Sequence, residues 1–263
     1  MRVCTLASSS KGNSTLIYSS NSAILIDIGI TLSEIERKLE KLKFDPKRVD
    51  GILISHEHSD HIKGVGAFSR KYGTKIYSHI DGSSSLREKL GKIKDENFIC
   101  FSDFPFNIKD FQIQAFKIPH DVPCCVGYNI FLGDKKVSIL TDLGHINEQI
   151  ISYLYNSKVV ILEANHDERM LLNNPKYNFM LKQRILGKNG HLSNLTSAKV
   201  ICDLAMNNVT QVVLAHLSEE NNTPELCYST VCDYLIANGI EPNVNIKIDV
   251  AGANTIGPIF HIK

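Results

Sequence analysis

Within Ser55-His56-Glu57-His58-Ser59-Asp60-His61, three imidazoles and two carboxylates fall in six consecutive positions, directly after the apolar run Gly51-Ile52-Leu53-Ile54. Imidazole nitrogens with carboxylate oxygens are the ligand set that borderline divalent cations such as zinc prefer. A loop at a strand end aims several side chains at one point, so the spacing His-x-His-x-Asp-His predicts a metal centre. Paired divalent ions activate water and stabilise both the attacking and the leaving oxygen, which makes hydrolysis the natural chemistry.

Such a loop needs rigid neighbours, and the surrounding pattern supplies them. The run 51–55 reads as a strand buried on both faces. Before it, strands are expected at 2–7, 15–19 and 23–28, separated by Ser/Gly/Asn-rich breaks at 8–14 and 20–22. Leu32, Ile35, Leu39 and Leu42 recur at helical spacing, with Thr31 as N-cap and Glu34 three residues on, so a helix is expected there. A second helix is expected over 62–72, and further helices at 147–155, 194–206 and 224–237. Strand-like runs occupy 75–79, 111–118, 126–132, 136–141, 159–163 and 209–215, and 164–192 is the longest irregular stretch. Hairpins followed by alternating strands and helices occur twice, which predicts an α/β (α+β) fold of two packed sheets with helices outside, in a single domain over 1–263. Long irregular stretches inside compact domains are usually functional.

The composition, 43% hydrophobic and 22% charged, is that of an ordinary globular protein. A net charge of +1 gives no overall basicity to attract nucleic acid, so a phosphate-binding surface must be local. Met1 to Ala7 runs straight into Ser8-Ser9-Ser10-Lys11, leaving no room for the apolar core of a signal peptide. No run approaches the roughly 18 apolar residues of a membrane span, so neither export nor a membrane partner is expected. Seven cysteines without a C-x-x-C pair read as reduced thiols and a cytoplasmic location. The adjacent Cys124 and Cys125 would point to opposite faces of a strand and are read as structural.

The cluster at 56–61 resembles the signature of the metallo-β-lactamase fold superfamily. That resemblance implies a four-layer αββα sandwich with metals at one edge of the two sheets and isolated ligands at other strand ends. His120 in Ile118-Pro119-His120-Asp121, Asp142 in Thr141-Asp142-Leu143-Gly144 and His216 in Ala215-His216-Leu217-Ser218 match those places in order. The resemblance therefore implies two divalent ions per chain, zinc foremost with manganese or iron also acceptable. His56, His58 and His120 would hold one and Asp60, His61 and His216 the other, with Asp142 between. Asp27, in Leu25-Ile26-Asp27-Ile28-Gly29, matches an aspartate expected to orient a ligand histidine, a simple strand-end cap being the alternative. In phosphodiesterase branches, a strand-end glutamate and a downstream histidine assist proton transfer to the leaving group, and Glu163 and His191 resemble that pair. Asp60 would also orient the attacking water. His79, His145 and His261 have no companions and are expected to be structural.

Longer segments narrow the resemblance: Leu162-Glu163-Ala164-Asn165-His166-Asp167, Gly190-His191-Leu192-Ser193-Asn194 and His216-Leu217-Ser218-Glu219-Glu220-Asn221-Asn222. They are similar to the YycJ/WalJ group of bacterial proteins, regarded as DNA exonucleases, which implies nucleic acid, DNA foremost, as substrate. The opening loop departs from that group's pattern at Ser9 and Lys11, although Ser10 and Asn13 still offer hydrogen bonds to phosphate, as a plain surface turn also would. His166 and Ser218 are expected near the substrate. Lys182 and Arg184, flanked by Tyr177 and Phe179, offer charge for phosphates and rings for bases, although a solvated helix has the same composition. A small-molecule metallo-hydrolase acting on a cyclic phosphodiester, thioester or lactam is the alternative on the same site. A di-iron redox protein is disfavoured by His58, where that branch carries glutamate, and a non-enzymatic binding module would be expected to lose ligands.

Overall fold

The structure, a computed structural model, describes residues 1–262. One sheet takes β1 (Arg2–Ala7), β2 (Ser14–Tyr18), β3 (Ala23–Ile26), β4 (Gly51–Leu53), β5 (Lys75–His79) and β6 (Phe98–Phe101). The other takes β7 (Phe106–Ile108), β8 (Phe111–Lys117), β9 (Val126–Leu132), β10 (Lys135–Leu140), β11 (Val159–Glu163), β12 (Gln211–Ala215) and β13 (Lys247–Val250). The last strand, β14 (Phe260–His261), returns to the first sheet beside β1. Each sheet begins antiparallel, through β1-β2-β3 and β7-β8-β9-β10, and continues parallel, through β3-β4-β5-β6 and β10-β11-β12-β13. Tight turns suffice for the antiparallel pairs, whereas the parallel ones need crossovers.

Alternation along the strands builds three apolar layers. Val3, Ile24, Ile26, Ile161, Val213 and Ala215 point into the interface between the sheets, while Cys4, Leu6, Ala23 and Leu25 face outward on the first sheet. Val160, Leu162, Val212 and Leu214 face outward on the second. Helices α1 (Leu32–Lys41), α2 (Ser59–Ile62), α3 (Val65–Tyr72) and α4 (Ser83–Lys89) accompany the first sheet, and α5 (Glu148–Ser152), α6 (Glu168–Asn173), α7 (Phe179–Leu186), α8 (Asn194–Met206) and α9 (Pro224–Ala237) follow in the second half. Helix α1 opens on the expected capping box, with Thr31 accepting from the Glu34 amide and the Glu34 carboxylate accepting from Thr31 at 2.9 Å. Ile35 and Leu39 are its buried stripe.

Two expectations need correction. The helix expected over 62–72 starts earlier, at Ser59, and breaks at Gly64 into α2 and α3. There the Gly64 amide donates to Ile28 O at 2.8 Å, and a Cβ would stand 2.3 Å from Ile30 O, so close packing on the β3 exit interrupts the helix. Asp60 and His61 consequently ride on a helical turn rather than a loop. The irregular stretch 164–192 contains α6 and α7, capped by Asp167 and Asn178, whose side chains each accept an amide at 2.8 Å.

Candidate metal centre and active site

The parallel strands bring their carboxyl ends to one edge, and the chemistry-bearing residues stand there. Asp27 follows β3, the 56–61 cluster follows β4, His120 follows β8, Asp142 follows β10, Glu163 ends β11 and His216 follows β12. Asp27, Asp142 and His216 have φ of 58°, 61° and 57°, left-handed conformations that turn the chain abruptly at the sheet edge. Each costs on the order of 1 kcal/mol or more for a residue with a Cβ and persists only where the surroundings hold it. At Asp27 the amide donates to Leu53 O at 2.9 Å and the carbonyl accepts from Ser14 Oγ at 2.8 Å. At His216 the amide donates to Ser8 Oγ at 2.8 Å and the carbonyl accepts from Asn165 Nδ2 at 2.9 Å.

Two groups of candidate ligands match the expected sets, and a third that overlaps them brings Asp142 and His216 together with Glu163 and His191. His56, His58 and His120 present ring atoms within 4.8 Å of one another, and Asp60, His61, Asp142 and His216 do the same. His56 Nε2, His120 Nδ1, His216 Nε2 and Asp142 Oδ2 are buried without a hydrogen-bond partner. Asp142 Oδ2 lies 2.9 Å from His61 Nε2, and Oδ1 lies 3.3 Å from His216 Nε2, yet these pairs converge side by side instead of aligning as hydrogen bonds. Buried polar atoms are nearly always paired, so orphaned atoms within a cluster of imidazoles and carboxylates fit divalent cations.

The electrostatics of the two groups differ. Burial pushes His56 well below the ordinary imidazole range and lowers His58 and His120, favouring the neutral form that binds metal. For His61 burial opposes protonation, but Asp142, Asp27 and Asp60 outweigh it and raise the ring well above that range. The same contest raises His216 to about 10, with Asp142, Asp60 and Glu163 prevailing over burial. Asp60 and Asp142 are held well below the carboxylate range, since the facing histidines outweigh desolvation.

Supporting residues orient these rings. Asp27 Oδ2 lies 2.7 Å from His61 Nδ1 and accepts the Ser55 hydroxyl at 2.6 Å, while Oδ1 accepts the Ser55 amide at 2.9 Å. Glu163, fully buried, places Oε1 2.8 Å from His191 Nδ1 and 2.9 Å from His216 Nδ1. Its Oε2 accepts the amides of Leu143 and Leu192 at 3.0 and 3.1 Å. Burial works against the Glu163 carboxylate, but His191 and His216 outweigh it and bring it down to about 2. Burial likewise opposes charge on His191, and Glu163 prevails, raising it.

A pocket of about 370 Å³ opens over both groups, walled by His58, Asp60, His120, Asp142, His191 and His216 and rimmed by Ser10, Asn165, Tyr177, Arg184 and Ser218. Ser10, Arg184 and Ser218 thus lie where a substrate would sit. Asn13, Lys182 and His166 do not. The buried Asn13 amide is spent on the site itself, lying 3.1 Å from His61 Nε2 and donating to Ser9 O at 2.9 Å. Lys182 Nζ donates to Leu172 O at 2.6 Å, away from the pocket wall. His166 is 1% exposed, and burial lowers it to about 4, so its ring is out of a substrate's reach. Glu163, too, is sealed from the pocket and meets it only through the two rings it contacts. Asp121, beside His120, was not anticipated: it accepts from Arg184 Nε at 2.6 Å and lies 3.3 Å from His120 Nε2. Asn165, which holds the His216 carbonyl, was equally silent, and only its place after β11 marks it.

The family model for the metallo-beta-lactamase superfamily matches residues 10–164, taking in β2 through β11 and every candidate ligand except His216. The chain belongs to the metallo-β-lactamase superfamily. It is 33% identical over 260 residues to Exodeoxyribonuclease WalJ of Streptococcus pneumoniae, covering 98% of this chain and 96% of that one. It is 30% identical over 235 residues to Exodeoxyribonuclease YycJ of Bacillus anthracis, covering 89% of each. In structure, the metallo-beta-lactamase fold protein YhfI of Bacillus subtilis superposes with a TM-score of 0.72 at 16% identity over 98% of each chain, a likeness of fold.

Proposed function

We propose that the chain is a dinuclear metal-dependent phosphodiesterase that digests DNA as an exonuclease. Similarity along nearly the whole chain to two exodeoxyribonucleases carries the choice of substrate. Carrying the reaction is one geometric fact, that His191, with its Nδ1 held by Glu163, stands in the same pocket as both ligand groups.

In this reading His56, His58 and His120 would hold one ion, Asp60, His61 and His216 would hold the other, and Asp142 would serve between the two sets. Zinc is the first choice, and manganese or iron accept the same donors. When bound, the ions supply Lewis-acid activation of water and neutralise charge on the phosphate. Asp60, which lines the pocket, would orient the attacking water. Because Glu163 occupies Nδ1, His191 turns Nε2 to the pocket and donates a proton there to the departing sugar oxygen. Arg184, Ser10 and Ser218 contact the phosphate, and the Tyr177 ring gives a base a face to stack on. The unit is the single domain 1–263, and its seven free thiols suit the reducing cytoplasm. Among the described residues no helix is long and apolar enough to cross a membrane.

The test is to assay metal-reconstituted protein on end-labelled single- and double-stranded DNA and RNA, beside a cyclic phosphodiester and a thioester. Stepwise loss of mononucleotides from DNA ends, abolished by Asp60→Ala, is the expected pattern. Turnover confined to a small ester, with DNA untouched, would overturn the reading.

A further inference from the structure

Asp121 stands in the pocket between two unlike neighbours. It follows His120 in the loop after β8 and reaches across to α7, where its Oδ2 accepts Arg184 Nε at 2.6 Å and also meets Nη2. Its other oxygen, Oδ1, lies 3.3 Å from His120 Nε2 and 3.7 Å from His58 Nε2. All four residues line the same pocket. One carboxylate thus fills the space between a guanidinium and two candidate ligand rings. A phosphate bound by Arg184 would need that space, since the guanidinium fork fits carboxylate and phosphate oxygens alike.

The contact is poorly suited to be a brace. The Arg184 side chain is 62% exposed and that of Asp121 23%, and pairs so open to water add little to stability. Helix α7 is held by other means: Asn178 Oδ1 accepts the Leu181 amide at 2.8 Å at its start, and Ile185 O accepts the His191 amide at 2.9 Å at its end. The other acids of the pocket wall, Asp60 and Asp142, face His61 and His216. Among the described acids of that wall, Asp121 is the one set against the arginine.

We propose that Asp121 is a specificity-determining rival of the substrate phosphate for Arg184, built into the pocket to keep the hold on any single phosphate weak; for the nature of the substrate, this rests on the phosphodiesterase reading. An incoming phosphate takes the guanidinium and Asp121 gives it up. Two like charges then stand side by side, which lowers affinity for the phosphate. A strand gripped along its length, by Tyr177, Ser10 and Ser218 as well, bears that penalty. A mononucleotide or a free phosphate has few other contacts and leaves, so Asp121 speeds loss of the product.

Calorimetric titration of inorganic phosphate, and separately of thymidine monophosphate, into the metal-reconstituted protein tests this without relying on turnover. Asp121→Asn keeps the shape and removes the charge. The dissociation constant for each anion should therefore fall roughly fivefold or more, with metal content unchanged, and Asp121→Ser should repeat the fall. In an Arg184→Ala background the same substitutions should shift it far less, because no guanidinium remains to compete for. Equal affinity in the native protein and both variants would overturn the proposal, as would an equally large fall in the Arg184→Ala background. Loss of metal from Asp121→Asn would overturn it too, making the residue an orienting partner of His58. A native protein that hydrolyses no phosphodiester, yet shows the stated shifts, would defeat the phosphodiesterase reading and leave the rivalry standing.

Discussion

Asp27 Oδ2 and His61 Nδ1 stand 2.7 Å apart, both buried, with Ser55 bonded to the same carboxylate. The contact turns His61 Nε2 toward Asp60 and Asp142. Asp27→Asn keeps the shape but removes the charge that orients the ring, so affinity for the ion beside His61 should fall roughly 10–100-fold, the usual worth of such a partner. Competition with a chromophoric chelator measures it. Unchanged affinity would reduce Asp27 to a strand-end cap.

Metal binding and proton donation should separate by mutation. Asp60→Ala should lose metal and nearly all turnover, whereas His191→Ala should keep its metals and lose roughly 10²–10⁴-fold in rate. A nitrophenyl phosphodiester, whose leaving group needs no proton, should largely restore the His191→Ala rate. If His191→Ala strips metal instead, the ring is a ligand.

Gly29 is where the first loop meets the metal loop. A Cβ there would lie 1.6 Å from Asp60 O and 2.6 Å from the Asn13 amide, both backbone atoms that cannot swing aside. Gly29→Ala should therefore destabilise the fold by about 1–3 kcal/mol or more and weaken metal binding through Asp60. Denaturant unfolding with and without zinc reads both effects, and a variant matching the parent in each would refute the packing argument.

Arg184 and Lys182 should part company in DNA binding. Arg184 rims the pocket, while Lys182 is turned back to Leu172 O. Arg184→Ala should weaken binding and reduce the salt slope by about one, with Lys182→Ala leaving the slope unchanged. Equal effects would place the strand along the whole of α7.

Proton release should accompany metal uptake. His216 is raised to about 10 and His61 is raised as well, so at neutral pH both rings carry protons in chelator-treated protein, and ligation expels them. Affinity should fall with falling pH, and calorimetry in buffers of different ionisation enthalpy should count more than one proton released. For stability the sign is the reverse. A raised histidine stabilises the chelator-treated fold fully below its ordinary value of 6.5, and that contribution fades as pH rises through about 10.

The cluster at 56–61 was legible because its donors are contiguous, and His120, Asp142 and His216 because each ends an apolar run. What stayed hidden depends on distance along the chain. The second partner of Glu163 lies 53 residues away, and nothing local marks it. Asn13 reads as a phosphate contact because a Ser/Asn loop looks alike whether its amide faces solvent or the protein's own aspartate. Helices α6 and α7 span six and eight residues, too few turns for an apolar period to emerge. The break at Gly64 came from packing on Ile28 and Ile30, which local periodicity does not register.

One oxygen of Glu163 serves two masters, His191 and His216. A lineage shifting toward esters with good leaving groups would have no use for the proton donor, yet it could not discard the carboxylate without loosening a candidate metal ligand. His191 is free to drift under such a change, and Glu163 is not. Divergence in this pocket should therefore be lopsided, with the histidine replaced first and the glutamate beneath it outlasting the reaction it once assisted.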